Sequence, residues 1–298
     1  MLPTLRQLQY LKLLAEHGSF SRAAQVAHVT QPTLSAGIRE LEKILGAAMV
    51  DRNRSGIILT AAGAEAVARA GAILAQAEDL AQAARAAGRP LAGRFRLGVI
   101  PTVAPFLLPA ALPALRERYP ALRLFLREDL THRLIADLKA GALDAAVIAR
   151  PYDMAGLEWA HVGDDELLAA FPACHPLAAA GPIAPERMDG EDLILLEDGH
   201  CLRDHALAAC GLTTRRQNPD DGFAATSLAT LVHMVGSGLG VSFLPAMAVT
   251  AGLAEGARVA VRPLGADHPS REIVVAWRAA STRAAEGALL AEVFAAAI

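Results

Sequence analysis

Between Leu5 and Glu16 the apolar residues Leu5, Leu8, Leu11 and Leu14 fall three apart, the stripe of an amphipathic helix. Ser19 marks a second start, and residues Ser21 to Val29 read as a short helix whose Ala23, Ala24, Val26 and Ala27 permit close packing. Thr30, ahead of Gln31 and Pro32, has the chemistry of an N-cap before a first turn. It opens a third helix running to about Leu45, apolar at Leu34, Ile38, Leu41 and Leu45, with Gly46 as its stop. The basic turn from Asp51 to Gly56 separates Met49-Val50 from Ile57-Ile58-Leu59, which predicts a two-stranded wing. Strong helix formers then run from Thr60 to about Ala87, ended by Gly88 and Pro90. A helix of ~28 residues is ~42 Å long, suited to a linker or dimerisation rod.

Beyond Leu91 the pattern alternates between strands and helices, with strand candidates at Phe95 to Ile100, Leu122 to Leu126, Leu143 to Ile148, Leu193 to Leu196, Val241 to Leu244 and Ile273 to Ala276. This predicts an α/β class with mainly parallel sheets, and its length favours two lobes around a ligand-binding cleft. The uncharged stretch Gly222 to Ala254 is long enough for a membrane span, but Pro245 and the cluster Gly236, Gly238 and Gly240 favour helix, glycine turn, strand and helix. The predicted organisation is a winged helix-turn-helix over 1–60, a linker helix over 61–90, and a two-lobed regulatory domain over 91–298.

At 298 residues, with 53% hydrophobic and 20% charged positions, the chain can bury large cores and is neither a disordered segment nor a small disulfide module. The net charge is −3, yet residues 1–60 hold seven Lys and Arg against four Asp and Glu, so a +3 head sits on a −6 body. That asymmetry suits a polyanion-binding head. The N-terminus lacks a basic-then-apolar signal pattern, which predicts a cytoplasmic protein whose three cysteines are kept reduced, with no membrane partner.

A short helix, a tight turn and a helix opening Thr-Gln-Pro-Thr-Leu-Ser predict a helix-turn-helix reading the major groove of double-stranded DNA. Gln31, Pro32, Thr33 and Ser35 would face bases, and Arg39, Arg52 and Arg54 would meet phosphates or the minor groove. A plain helical hairpin is the alternative, against which the wing and basic bias argue. Farther on, Asp198-Gly199 and Gly211 look like the start and stop of a helix with Cys201 in its first turn. There the positive helix end, Arg203 and a protonated His200 would favour a thiolate. The residues alone leave a reactive thiol and two buried structural cysteines, Cys201 and Cys210, both open. Thr102 and Thr131 each precede a helical pattern and are candidate N-caps or ligand contacts. Cys174-His175 lacks further metal ligands at useful spacing, so no metal or cofactor is expected.

The segments Phe20-Ser21-Arg22-Ala23-Ala24, Gln31-Pro32-Thr33-Leu34-Ser35 and Leu41-Glu42 make the whole chain resemble the LysR-type transcriptional regulators. In that family a winged helix-turn-helix is joined by a long helix to a two-lobed effector domain similar to periplasmic binding proteins. Glu197-Asp198-Gly199-His200-Cys201-Leu202-Arg203-Asp204-His205, followed by Cys210, resembles the redox loop of the peroxide-sensing branch, the OxyR type. Ile100-Pro101-Thr102-Val103, Thr131-His132, Ala225-Thr226-Ser227-Leu228 and Leu244-Pro245-Ala246 add to the likeness, whereas Ala224 stands where that branch carries an arginine. The resemblance implies that hydrogen peroxide oxidises Cys201 to a sulfenic acid, which forms a disulfide with Cys210. It implies a peroxide pocket of Thr102, Thr131, His200 and Arg271, the arginine lying near Cys201 and stabilising its anion. Also implied are a homodimer assembling to a homotetramer on a pseudo-palindromic operator, contact with RNA polymerase, activation of antioxidant genes and reset by a thiol reductant. Such a protein is not an enzyme. A LysR-type sensor of an organic metabolite and a thiol peroxidase are the rival readings.

Overall fold

The computed structural model describes residues 1–53, 56–86, 88–188, 190–209, 211, 224–265, 269–279 and 281–298. The chain divides into two compact units, residues 1–88 with 137–142, and residues 89–136 with 143–298.

The first unit contains α1 (Leu5–His17), α2 (Phe20–Val26), α3 (Gln31–Leu45), β1 (Val50–Asn53), β2 (Gly56–Leu59) and α4 (Ala61–Ala86). Thr4 and Gln7 cap α1 reciprocally, the Gln7 amide donating to Thr4 Oγ1 and the Thr4 amide to Gln7 Oε1. Thr30 caps α3, and Gly46 ends it in the left-handed region at φ 72°. The second helix stops at Val26, three residues short of expectation, and His28 two residues on adopts a φ of 54°. Leu8, Leu11, Leu14, Ala23, Ala24, Leu34, Ile38 and Leu41 make one core, each leucine contributing about 1.5–3 kcal/mol by leaving water. α3 lies against α1 so closely that a Cβ at Gly37 would fall 2.8 Å from the Tyr10 ring. β1 and β2 pair antiparallel from Val50 opposite Leu59 to Asn53 opposite Gly56, forming the wing. At 26 residues, α4 is ~39 Å long.

The second unit contains β3 (Gly93–Val99), α5 (Ala104–Arg118), β4 (Leu122–Glu128), β5 (Ala145–Arg150), β6 (Leu157–Pro172), α7 (Cys201–Ala209), α8 (Leu228–Gly236), β7 (Ser242–Pro245), α9 (Ala246–Thr250), β8 (Val259–Pro263), β9 (Ser270–Arg278) and α10 (Ala284–Ala295), and includes the first turns of α6 (Thr131–Lys139). The strands run in the order β4-β3-β5-β9-β6-β7, with β8 also on β6. Among the named strands, β3 pairs in parallel with β4 and with β5, whereas β9 is antiparallel to β5 and β6, as are β7 and β8 to β6. The expectation of mainly parallel sheets is therefore corrected. Its cause is the long strand β6, where a bulge between His161 and Gly163 breaks the alternation and Asp164-Asp165-Glu166 reads as a loop. Leu193 to Leu196 is not a strand but two isolated parallel bridges, Leu193 with Val241 and Leu196 with Ala225.

β6 pairs with β9 from Leu157 to Glu166 and with β7 and β8 from Leu167 to Pro172, so one strand serves two lobes. Phe95, Leu97, Val147, Ile148, Val274 and Val275 are buried on the first lobe; Leu196, Leu202, Leu228, Leu231 and Leu244 share a core on the second. The uncharged stretch forms α8, a glycine turn, β7 and α9 where described. In that turn Gly240 has φ 154°, and a Cβ would fall 2.3 Å from the Asp192 carbonyl oxygen. Among the described residues no helix is long and apolar enough to cross a membrane.

Candidate functional site

The N-terminal end of α3 presents exposed Gln31, Pro32 and Thr33, with Ser35 half-buried and Arg39 exposed one turn on. Ser21 Oγ donates to Gln31 Oε1 at 3.0 Å, tying α2 to the start of α3. The Thr30 and Thr33 hydroxyls lie 2.8 Å apart, and Arg39 Nη1 donates to Ser35 Oγ at 3.0 Å. The first turn holds no acidic residue, so the positive end of the helix is uncompensated and suited to a polyanion. Arg52 lies on β1 opposite Ile57, at the tip of the wing; Arg54 lies outside the described residues.

In the second unit, Cys201 is the first residue of α7 and is buried as a free thiol. The loop before it packs against the start of α6: a Cβ on Gly199, whose φ is 97°, would lie 3.1 Å from Leu130 Cδ1 and 3.6 Å from His132 Cε1. Thr131, between those two residues, is 1% exposed, and its hydroxyl has no protein partner among the described residues. It does not cap α6; the neighbouring Asp129 carboxylate accepts from the Leu130 amide instead. Thr102 does not cap α5 either, because Val103 is the capping residue. Its hydroxyl accepts from Arg271 Nη1 at 2.7 Å and its carbonyl from Nη2 at 3.0 Å.

Arg271, on β9, is fully buried with Asp165, its partner in the register of β6. Nε and Nη2 donate to Asp165 Oδ2 at 3.0 and 2.8 Å, and Oδ1 accepts from the Met247 amide at 2.9 Å. This knot sits one residue before β6 passes from β9 to β7 and β8. It joins Thr102 at the start of α5 to the first turn of α9.

Two further groups belong to this region. Tyr152 follows Pro151 in the turn after β5; burial raises its phenol above the ordinary value, and charge on Cys201, Asp204 and Asp153 adds to the effect. His205, one turn along α7, donates from Nε2 to the Pro151 carbonyl at 3.2 Å. Burial lowers its pKa, and the nearby Arg271 cation lowers it further.

The electrostatics around Cys201 differ from expectation. Burial pushes His200 below the ordinary histidine value despite Glu197, so the imidazole is neutral near pH 7 and supplies no cation. Arg203 pairs with Asp198 at 2.6 Å, and the charge of Arg271 is matched by Asp165. Cys210 lies outside the described residues, and Cys174 is exposed in the loop after β6. Asp165 and Tyr152 were not signalled by the sequence, although His205 falls within the motif around Cys201. Among the described residues no His, Cys, Asp and Glu cluster could hold a metal ion.

Comparison with known proteins accounts for both units. Residues 5–64 match the bacterial regulatory helix-turn-helix proteins of the lysR family, and residues 88–297 match the LysR substrate binding domain. The HTH-type transcriptional regulator EstR of Acinetobacter baylyi is 42% identical over 250 residues, 83% of this chain and 81% of that protein. A hydrogen peroxide-inducible genes activator of Dickeya chrysanthemi is 40% identical over 245 residues, 82% of this chain and 80% of the relative. Full-length OxyR from Pseudomonas aeruginosa with a cysteine-to-aspartate substitution superposes with a TM-score of 0.80 at 36% identity, covering 100% of this chain and 99% of that one. An H2O2-bound cysteine-to-serine mutant of Corynebacterium glutamicum OxyR gives 0.65 at 32% identity, covering 100% and 94%. With both its helix-turn-helix and its regulatory unit matched, the chain belongs to the LysR family of bacterial DNA-binding transcriptional regulators.

Proposed function

We propose that this LysR-family regulator is a peroxide sensor of the OxyR type, in which oxidation of Cys201 changes the grip on DNA. The carrying observation is a buried thiol on the first residue of α7, at the end of a loop packed against the start of α6, where the Thr131 hydroxyl is buried without a protein partner among the described residues. A small polar guest with oxygen atoms suits that hydroxyl, and a thiol attacking peroxide yields a sulfenic acid that condenses with a second thiol. Cys210 is the resolving thiol in this reading. Thr102, Thr131, His200 and Arg271 surround the guest, Arg271 by fixing Thr102. The peroxide-linked names and titles of the relatives support the same reading.

α7 carries the chain from Cys201 to Ala209, a rise of ~12 Å, whereas a disulfide needs Cα atoms within ~4.4–6.8 Å. Bonding Cys201 to Cys210 therefore requires α7 to unwind and release Leu202, Ala206 and Leu207 from the cores they fill. That repacking is the signal. The working division is a DNA-binding head over 1–60, a pairing helix over 61–90 and a redox-sensing domain over 91–298. In this reading the protein acts in the cytoplasm as a dimer of dimers on DNA, engages RNA polymerase and is reset by a thiol reductant.

Mass-spectrometric mapping after a brief stoichiometric peroxide pulse tests this. A Cys201–Cys210 disulfide is expected in the native sequence, no response in Cys201→Ser, and a dimedone adduct on Cys201 in Cys210→Ser. A LysR-type sensor of an organic metabolite is the rival reading. Thiols indifferent to peroxide, together with saturable heat on titrating small organic acids, would establish that second reading and end the first.

A further inference from the structure

The thiol proton of Cys201 must leave as its sulfur becomes oxidised, and the cations near it are engaged: burial keeps His200 neutral, and carboxylates match Arg203 and Arg271. One buried base is suited to the task. His205 lies four residues after Cys201 on α7, so the two share a helix face one turn apart. A helical side chain leans over the turn that precedes its own Cα, which for His205 is the turn of Cys201. His205 is 8% exposed, and its Nε2 lies 3.2 Å from the Pro151 carbonyl. A carbonyl only accepts, so Nε2 carries the hydrogen and Nδ1 the lone pair. Nδ1 is buried and has no protein partner among the described residues.

We propose that His205 is a proton-transfer residue for Cys201, its Nδ1 taking the thiol proton and passing it to the departing peroxide oxygen. The assignment rests on the peroxide reading above. The sulfur attacks one peroxide oxygen, the O–O bond breaks, and the S–O bond of the sulfenic acid forms. Sulfur loses two electrons, the peroxide gains them, and the leaving hydroxide takes the proton from Nδ1 to depart as water. Nδ1 has no protein partner among the described residues, so the contact to the thiol forms as the reactant binds and catalytic groups draw together. The groups acting on His205 come from three elements: Asp204 on α7 and the Pro151 carbonyl favour its protonation, while Arg271 on β9 opposes it. Tyr152 is the residue next to Pro151, and after burial the charges on Cys201 and Asp204 raise its phenol above the ordinary value. Burial outweighs these influences, so the imidazole is a neutral acceptor at pH 7.

The test is the rate of dimedone-trapped sulfenic acid on full-length Cys210→Ser protein under stoichiometric hydrogen peroxide, followed from pH 5 to 9. The rate is expected to fall on the acid side through an ionisation below the ordinary histidine value of 6.5. In His205→Gln, Cys201 still oxidises, about a hundredfold more slowly, and the acid limb is lost. In His200→Gln the limb persists. An unchanged rate and limb in His205→Gln, or a limb that vanishes with His200→Gln instead, overturns the assignment and leaves the peroxide reading standing. Nitrogen-15 spectra of the reduced native protein test it without any variant, because a hydrogen on Nδ1 of neutral His205 excludes the role. Failure of peroxide to oxidise Cys201 in the parent protein overturns the peroxide reading itself, and this assignment with it.

Discussion

Arg271 and Asp165 are buried so completely that either charge alone would be stranded in the interior. Arg271→Met is expected to destabilise the regulatory unit by about 3–5 kcal/mol and lower its melting temperature by about 10 °C in calorimetry. Adding Asp165→Leu should recover much of that loss, since no bare charge remains. Thr131 makes the opposite case, because its buried hydroxyl satisfies no protein partner among the described residues. Thr131→Val keeps the shape and removes that polar group, so a gain of about 1 kcal/mol in urea unfolding is expected together with slower oxidation of Cys201. A valine variant that lost stability would show the hydroxyl to be structural. The two histidines set a pH dependence. His200 and His205 are depressed in the folded chain relative to 6.5, so below that value the unfolded state takes up protons that the folded state refuses. Stability is therefore full above pH 6.5, falls as pH drops through the folded values, and levels off beneath them. Urea midpoints at pH 7.5 and 5.5 at constant salt check the sign, and His200→Gln with His205→Gln should flatten the difference.

Among the elements, those of the DNA-binding head are the most legible, because each carries its instruction locally: the leucine spacing of α1, the Thr30 cap and Gly46 stop of α3, and the turn between β1 and β2. The wing then supports a prediction of its own. Arg52→Ala or Arg54→Ala should weaken binding to all DNA sequences and reduce the slope of log K against log salt by ~0.9 per lost phosphate contact, as filter binding across a salt series would measure. A change of base preference at constant slope would refute the assignment. β6 was hidden by its bulge and by three consecutive acidic residues, one of which, Asp165, points into the interior. Its partner Arg271 is 106 residues away, a separation at which no local pattern carries information. The start of α7 at Cys201 was legible because Asp198-Gly199 forms a contiguous local helix-start signal. The neutrality of His200 was not, since burial is a property of the folded chain.

For the molecule as a whole, one recognition helix contacts only a few base pairs, so binding by paired heads is expected. Footprinting should show a pseudo-palindromic site with half-sites one helical turn apart, ~10 to 10.5 bp, or a multiple of it. Protection of a single short half-site by monomer would exclude that assembly. A different kind of selectivity follows from the 2.7 Å bond between Arg271 and Thr102. With the guanidinium on its oxygen, Thr102 keeps its hydroxyl hydrogen to offer, whereas Nδ1 of His205 offers a lone pair. In the proposed peroxide site, a guest held by both would need an acceptor at one end and a hydrogen at the other. Hydrogen peroxide and alkyl hydroperoxides meet that requirement, whereas chloride and nitrate lack the hydrogen. The proposed site would thus sort its visitors by polarity before size or oxidising power is consulted.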